Sequence, residues 1–371
     1  MKTIKPLWNR VICENPDSPF GYFGWPSVIR LPDGALAMAC SGLRLAHVCP
    51  FGKGVICYSR DEGEHWTAPA IALDTPLDDR DCGLTVFGGG RVILTSFNNT
   101  VAFQRDRNRR REENCDPSER ALGSLVRAYL DAVEASGRER EYLGSTYRIS
   151  EDGGYTFGPV RRVPVTAPHG PLALRDGALL YVGRRFSRDD SPARDGLPHV
   201  EAWRSPDGEN WERVGAIEDI WEDGERLLSC EPHALELPDG RILVHTRVQG
   251  GTTPTFTLYQ SESTDGGRTF TRPRPLLPRQ GGAPAHLLAH SGGALMSLYG
   301  YRQPPYGIRA MFSRDGGATW DADWVLYDGG QSGDLGYPAT VECADGTLLT
   351  VYYENVGGRA VIKACRWALP E

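Results

Sequence analysis

Long apolar runs are missing from this 371-residue chain. No stretch of 18 consecutive apolar residues could cross a bilayer as a helix, so no membrane partner is expected. The opening segment, MKTIKPLWNRVICENPDSPFGYFG, lacks an apolar run followed by a small-residue cleavage site. It therefore predicts no secretory signal and a cytoplasmic protein. Positive charge is also in deficit. A net charge of −7 and an isoelectric point near 5.7 exclude the surface-wide positive field that a nucleic-acid partner requires, although a local basic pocket stays compatible with them. The nine cysteines are odd in number, irregularly spaced and without a CxxC pair. That pattern argues against a disulfide frame or a zinc site and for buried thiols in a reduced compartment, with no cofactor and no metal.

Turn residues, by contrast, are plentiful. Gly (44) and Pro (27) recur as short punctuation between apolar runs, the signature of many short strands joined by tight turns. Two repeats organise them. One is S-x-D-x-G-x-x-(W/F), seen at Ser59-Arg60-Asp61-Glu62-Gly63-Glu64-His65-Trp66, at residues 150–157, 263–270 and 313–320, and in shortened form from Ser205 to Trp211. Its Ser and Asp can bond turn N–H groups, its Gly supplies positive φ, and its aromatic ring anchors the hairpin. The other is an apolar strand, a D-G or G-G turn and a second apolar strand, as in PSVIRLPDGALAMAC and PATVECADGTLLTVYYE, and it occurs six times. Six such units with five boxes predict an all-β, six-bladed β-propeller filling residues 1–371 as a single domain. The N-terminal strand near Trp8 to Cys13 would close the sixth blade.

Residues 105–141 interrupt the second unit as a helical insertion. Leu122, Leu125, Val126, Tyr129, Leu130 and Val133 fall at helical spacing, and Asp116-Pro117-Ser118 before them reads as a start signal. Such an insert can be a plain surface element, a lid beside a pocket, or a contact between copies in a homo-oligomer.

In a propeller the innermost strand of each blade lines the central channel. Counting eight residues back from each turn gives Trp25, Asp81, Glu231, Pro284 and Tyr337, with His169 at the corresponding place in the shorter third blade. His233 and His286 fall at or near the same ring.

The boxes resemble the Asp-box repeats of the sialidase (neuraminidase) superfamily, and the resemblance covers nearly the whole chain. It implies a glycoside hydrolase, a retaining exo-acting enzyme that releases a terminal carboxylated sugar such as sialic acid or a related ulosonic or uronic acid. Sialidases use a Tyr nucleophile activated by a Glu, with three arginines on the substrate carboxylate. Tyr337 in GDLGYPATVECADG resembles the nucleophile region, and Glu231 in CEPHALELPDGRILVHTR the activating Glu. Arg247 at the end of that motif and Arg309 before the last box resemble two arginines of the triad. Two departures fall in the first blade. The family's aromatic-Arg-Ile-Pro motif reads Gly24-Trp25-Pro26, without the arginine. The loop where sialidases carry the acid/base Asp reads RLAHVCPFGKGVICYS, without a carboxylate. Arg44 could restore the lost positive charge. His47, whose imidazole titrates near neutrality, could replace the lost proton donor, and Asp81 is the rival. Trp25 offers a stacking face for a sugar, against a core role. His169, His233 and His286 are read as sugar-binding groups in preference to metal ligands. The expected partner is thus a carbohydrate with a carboxylate. Two other functions compete: a polysaccharide lyase acting on uronates, and a non-catalytic glycan-binding propeller.

Overall fold

The computed structural model describes residues 2–186, 199–250, 253–278, 281–282 and 284–370. Six antiparallel blades follow one another along the chain. Blade one runs Tyr22–Arg30, Leu36–Arg44, Lys53–Ser59 and Ala70–Leu73 from the channel outwards, and blade two Arg80–Phe87, Arg91–Phe97, Ser145–Ser150 and Arg161–Val163. In blade three the inner edge is broken into the two-residue strands Val165–Thr166 and Leu172–Ala173, both paired with Leu179–Arg185. Blade four opens on Leu228–Glu236 and Ile242–Gly250, blade five on Ala285–Ala289 and Leu295–Tyr301, and blade six on Leu335–Glu342 and Leu348–Val356. The fourth strand of blade six is the N-terminal Trp8–Cys13, antiparallel to Arg359–Trp367, so the ring closes with strands from both ends of the chain. Lys2–Thr3 adds a parallel edge to blade five.

The apolar alternation of the inner strands is buried between neighbouring blades rather than inside any one of them. Val28, Met38 and Cys57 of blade one meet Ala339, Val351 and Ile362 of blade six, and Ala37, Ala39 and Ile56 on the other side of blade one meet Leu84, Val92 and Leu94 of blade two. Eight of the nine cysteines are buried free thiols; Cys115 is exposed.

All five boxes form the expected turn. In the first, Ser59 Oγ donates to Asp61 Oδ1 at 2.9 Å and accepts from Gly63 N at 2.9 Å, while Asp61 accepts from His65 N and Trp66 Nε1 donates to the Gly63 carbonyl at 3.0 Å. The same Ser–Asp bond recurs at Ser150, Ser205, Ser263 and Ser313.

Between the second and third strands of blade two stand three helices, α1 (Val101–Glu112), α2 (Pro117–Ser136) and the single turn α3 (Glu139–Tyr142). Helix α2 begins at the N-cap Asp116, whose side chain accepts from Ser118 N, and ends on Gly137 at φ 69°. Its Val126, Leu130 and Val133 pack with Val101 of α1 against Leu45, Cys49 and Leu77, tying the insert to the rim of blade one. Leu125 of the expected apolar stripe is exposed instead. No helix among the described residues is long and apolar enough to cross a membrane.

Candidate active site

Four of the ring positions share an unusual backbone. Trp25 (φ 57°), Asp81 (48°), Glu231 (50°) and Tyr337 (49°) are all left-handed without being glycine. At each the inner strand slips register against its neighbour, between Gly24 and Ser27, Arg80 and Gly83, Cys230 and His233, and Gly336 and Ala339. A bulge of this kind re-aims one side chain, and a β-branched or bulky residue tolerates it only when the surroundings hold it there. The same local device, repeated in blades one, two, four and six, aims these four side chains at one mouth of the channel.

At that mouth Tyr337 Oη donates to Glu231 Oε1 at 2.6 Å, and the other carboxylate oxygen accepts from Arg247 Nη1 at 2.7 Å. Burial pushes the Glu231 carboxyl up, but the Arg247 guanidinium and the Tyr337 hydroxyl outweigh it and leave the group below the ordinary glutamate value. Burial and the Glu231 charge together push the Tyr337 phenol well above its usual range. The pair therefore rests as carboxylate and neutral phenol, the protonation state in which the first can take a proton from the second.

A second arginine stands beside them, and it is not Arg309. Arg302, immediately after the second strand of blade five, has its guanidinium 5.4 Å from the Tyr337 ring centre, and its Nε donates to the Leu335 carbonyl at 3.0 Å. Arg309 lies on the third strand of that blade, where its guanidinium is taken up by the carbonyls of Tyr327 and Pro305. Arg309 stands out in the sequence only through its nearness to the last box. The usable signal was elsewhere: Arg44, Arg184, Arg247 and Arg302 all stand within the last four residues of a second strand or just past it.

Blade one corrects two further expectations. Arg44 is fully buried in an ion pair with Asp78 at 2.6 Å, and its Nη2 donates to the His47 carbonyl, so it supports the rim and leaves no charge for a ligand. Trp25 is 1% exposed, with the Arg80 guanidinium 4.2 Å and the Arg44 guanidinium 5.0 Å from the ring and with Tyr22, Tyr337 and Tyr353 around it. No face is open for a sugar to stack on. Trp25 is instead the hub against which the site is assembled, with the Arg80 guanidinium lying over its ring.

His47 meets that hub edge-on at 4.9 Å, with its own ring half exposed. Its Nδ1 lies 3.0 Å from Asp334 Oδ1 and 3.0 Å from Tyr22 Oη. Asp334, which the sequence reading missed, also accepts from Tyr22, Tyr353 and Asn355. Burial opposes the Asp334 charge, yet the hydrogen bonds from His47, Asn355 and Tyr22 hold the carboxyl well below its usual range. An ionised Asp334 orients the imidazole and places the Nδ1 proton towards itself, leaving Nε2 as the titrating nitrogen. For His47, desolvation and the Arg80 charge lower the pKa more than Asp334 raises it. Asp81 is fully buried, and burial with the Glu231 charge raises it to about 7 against the pull of Arg80. Its Oδ1 finds no partner among the described residues.

The three ring histidines form a cluster of their own. Ring centres lie 5.4 Å apart for His169 and His233, 5.0 Å for His169 and His286, and 4.4 Å for the stacked His233 and His286. Burial lowers all three, so the rings are neutral. His233 Nδ1 accepts from Leu287 N, so its Nε2 carries the proton and offers no lone pair to a metal. The described residues contain no arrangement of three or more His, Cys, Asp and Glu fit to hold one. None of the three histidines hydrogen-bonds to the Tyr337–Glu231–Arg247 group, and none lines either cavity at the mouth. The smaller cavity, about 90 Å³, has Asp81, Glu231 and Cys230 in its wall; the larger, about 930 Å³, has His47 and Arg80; Phe97 and Arg184 belong to both.

Box turns, six blades and a Tyr–Glu–Arg cluster at the channel mouth define a sialidase-like Asp-box propeller. A family model described as BNR repeat-like domain matches residues 98–350, and the chain belongs to that family. Solved structures agree on the fold. A protein of unknown function from Dyadobacter fermentans is similar at 21% identity and a TM-score of 0.75, with 100% of each chain covered. The NanB sialidase of Streptococcus pneumoniae is similar at 13% identity and a TM-score of 0.66, over 97% of this chain and 70% of that one. The intramolecular trans-sialidase of Ruminococcus gnavus, solved with oseltamivir carboxylate, is similar at 14% identity and a TM-score of 0.64, over 99% and 97%. No curated protein matches.

Proposed function

We propose that the protein is a retaining exo-glycosidase that removes a terminal carboxylated sugar. The observation that carries this reading is the 2.6 Å bond from the neutral Tyr337 hydroxyl to a Glu231 carboxylate already fixed by Arg247. In the first step Tyr337 Oη bonds to the anomeric carbon as its proton passes to Glu231 and the bond to the leaving oxygen breaks. Asp81 or His47 gives that oxygen a proton. In the second step the same group takes a proton from water, which displaces Tyr337 and regenerates the Tyr–Glu pair. A neutral nucleophile suits a sugar whose carboxylate adjoins the reacting carbon, because it brings no second negative charge. Arg302 Nη1 is free of hydrogen-bond acceptors among the described residues and is the donor available to that carboxylate.

A second reading, a lyase acting on a uronate, draws on the 3.0 Å contact between Tyr22 Oη and His47 Nδ1. Aryl glycosides of sialic acid, other ulosonic acids and uronic acids, offered to the wild type and to Tyr337→Phe, separate the two. The glycosidase releases aryl alcohol, and the variant loses about a thousandfold or more of kcat. No release from any member, with a near-ultraviolet-absorbing product from a polyuronate, transfers the assignment to the lyase.

A further inference from the structure

Helix α1 has two polar faces with different fates. Gln104 and Asn108 turn inward, where Gln104 Nε2 donates to Asp78 and Asn108 Nδ2 to the Gly123 carbonyl. Phe103, Arg107, Arg110, Arg111 and Asn114, at helical spacing, form one wall of the 930 Å³ cavity, and Arg80 and Arg184 stand in the same cavity on the propeller side. One carboxylate, Glu119, reaches this wall, and it is held by Arg111 at 2.9 Å. Arg80 is engaged by the His47 carbonyl at 2.7 Å, with Asp78 at 3.6 Å. Among the described residues Arg107, Arg110 and Arg184 have no carboxylate partner, and Arg107 only leans on the Phe103 ring.

The negative end of the α1 dipole favours arginines in its last turn. It does not account for their alignment on the cleft face, nor for Arg184 opposite. In a chain of net charge −7, a concave wall on which Arg107, Arg110 and Arg184 have no carboxylate partner among the described residues concentrates the field on whatever anion enters. Guanidinium forks match the paired oxygens of a carboxylate or a sulfate. Phe97 and Arg184 line both this cavity and the pocket containing Asp81 and Glu231, so the two are neighbours. We infer that the α1 face is a leaving-group subsite for an anionic saccharide, holding a carboxylate or sulfate on the unit next to the sugar that is cleaved. The assignment of this cleft to the leaving-group side rests on the glycosidase reading above.

The test is titration calorimetry of the full chain with trigalacturonate, 3′-sulfolactose and neutral lactose, at low and high salt. The proteins are the wild type, the double variant Arg107→Gln/Arg110→Gln and, from the other wall, Arg184→Gln. The expected result is wild-type binding of at least one anionic saccharide about tenfold or more tighter than lactose, a preference that shrinks with salt and is lost in the variants. Whether the carboxylated or the sulfated probe wins identifies the anion. Equal binding of all three probes, or a preference that survives in both variants, overturns the proposal. Hydrolysis of the aryl glycoside of the cleaved carboxylated sugar, whose aglycone carries no anion, keeps the two claims apart, since the double variant should leave it unchanged. If no aryl glycoside is cleaved but the anion preference stands, the glycosidase reading falls and the anion subsite remains.

Discussion

Asp81 and His47 differ in the sign of their displacement, and that difference decides which of them can donate a proton at a given pH. Burial lifts Asp81 to about 7, so its acid form persists nearly to neutrality, whereas the net effect on His47 is to lose its proton below 6.5. The value of kcat/KM reports the free enzyme up to cleavage of the glycosidic bond, the step that needs an acid. With Asp81 as donor, kcat/KM falls as pH rises through about 7, and Asp81→Asn removes that limb along with most of the activity. With His47 as donor, the fall begins below pH 6.5 and His47→Asn removes it. A pH–rate profile of the three proteins on an aryl substrate decides between them. Tyr337 and Glu231 were legible as ring positions because each sits at a fixed offset from a turn whose register the repeat reveals, and Arg247 because it ends the motif that carries Glu231. Asp334 was not, because it acquires its role from Tyr22, His47, Tyr353 and Asn355, side chains of blades one and six that meet only when the ring closes. Arg302 fell between: the strand end that carries it repeats in four blades, but Arg309 lay nearer a conspicuous motif.

The helical insert and the turns show the same contrast between local and distant signals. Helix α2 was readable from its cap and its apolar stripe. Helix α1 falls inside the expected helical insertion from residue 105 on, and its start at Val101 was not readable, since two of its three buried residues are Gln104 and Asn108, and polar burial leaves no apolar period. Turns are the most local elements, and their glycines separate backbone strain from packing. Gly346, in the blade-six hairpin, has φ 78° with no atom within 4 Å of the position a Cβ would take. Gly317, in the last box, has φ 87°, and a Cβ there would lie 2.6 Å from Leu243 Cδ1 of blade four. Gly346→Ala should therefore cost about 1 kcal/mol, the strain of a left-handed alanine alone. Gly317→Ala should cost about 2–4 kcal/mol, because the box must also move off the neighbouring blade. Urea unfolding at constant m-value measures both, and equal costs would mean that the box does not register one blade against the next.

For the whole molecule, the buried groups set a pH dependence that its exposed charges do not reveal. His169 and His245 are buried, His233 and His286 are partly buried, and desolvation holds all four neutral, His233 at about 4 and His245 at about 3. The unfolded chain protonates such imidazoles below about 6.5 while the folded chain does not, so each withdraws stability as pH falls from there. Asp79 and Asp81 act in the opposite sense. Burial raises both to about 7, so the folded chain holds two protons that the unfolded chain releases above about 4, and each withdraws stability as pH rises from there to 7. Between pH 4 and 6.5 the four histidines outweigh the two aspartates. Unfolding then takes up about two protons, and stability drops by about 1–3 kcal/mol for each unit of acidification. The thermal midpoint should therefore be highest near neutrality and decline steadily towards pH 5. His245→Asn should flatten that decline. Asp81→Asn should steepen it, because it removes one of the terms that oppose it. Midpoints recorded from pH 5 to 8 for the three proteins test the balance. A wild-type midpoint that rises towards pH 5 would mean that the histidine cluster is hydrated and charged in solution, and that the channel beneath the active-site mouth is open to water.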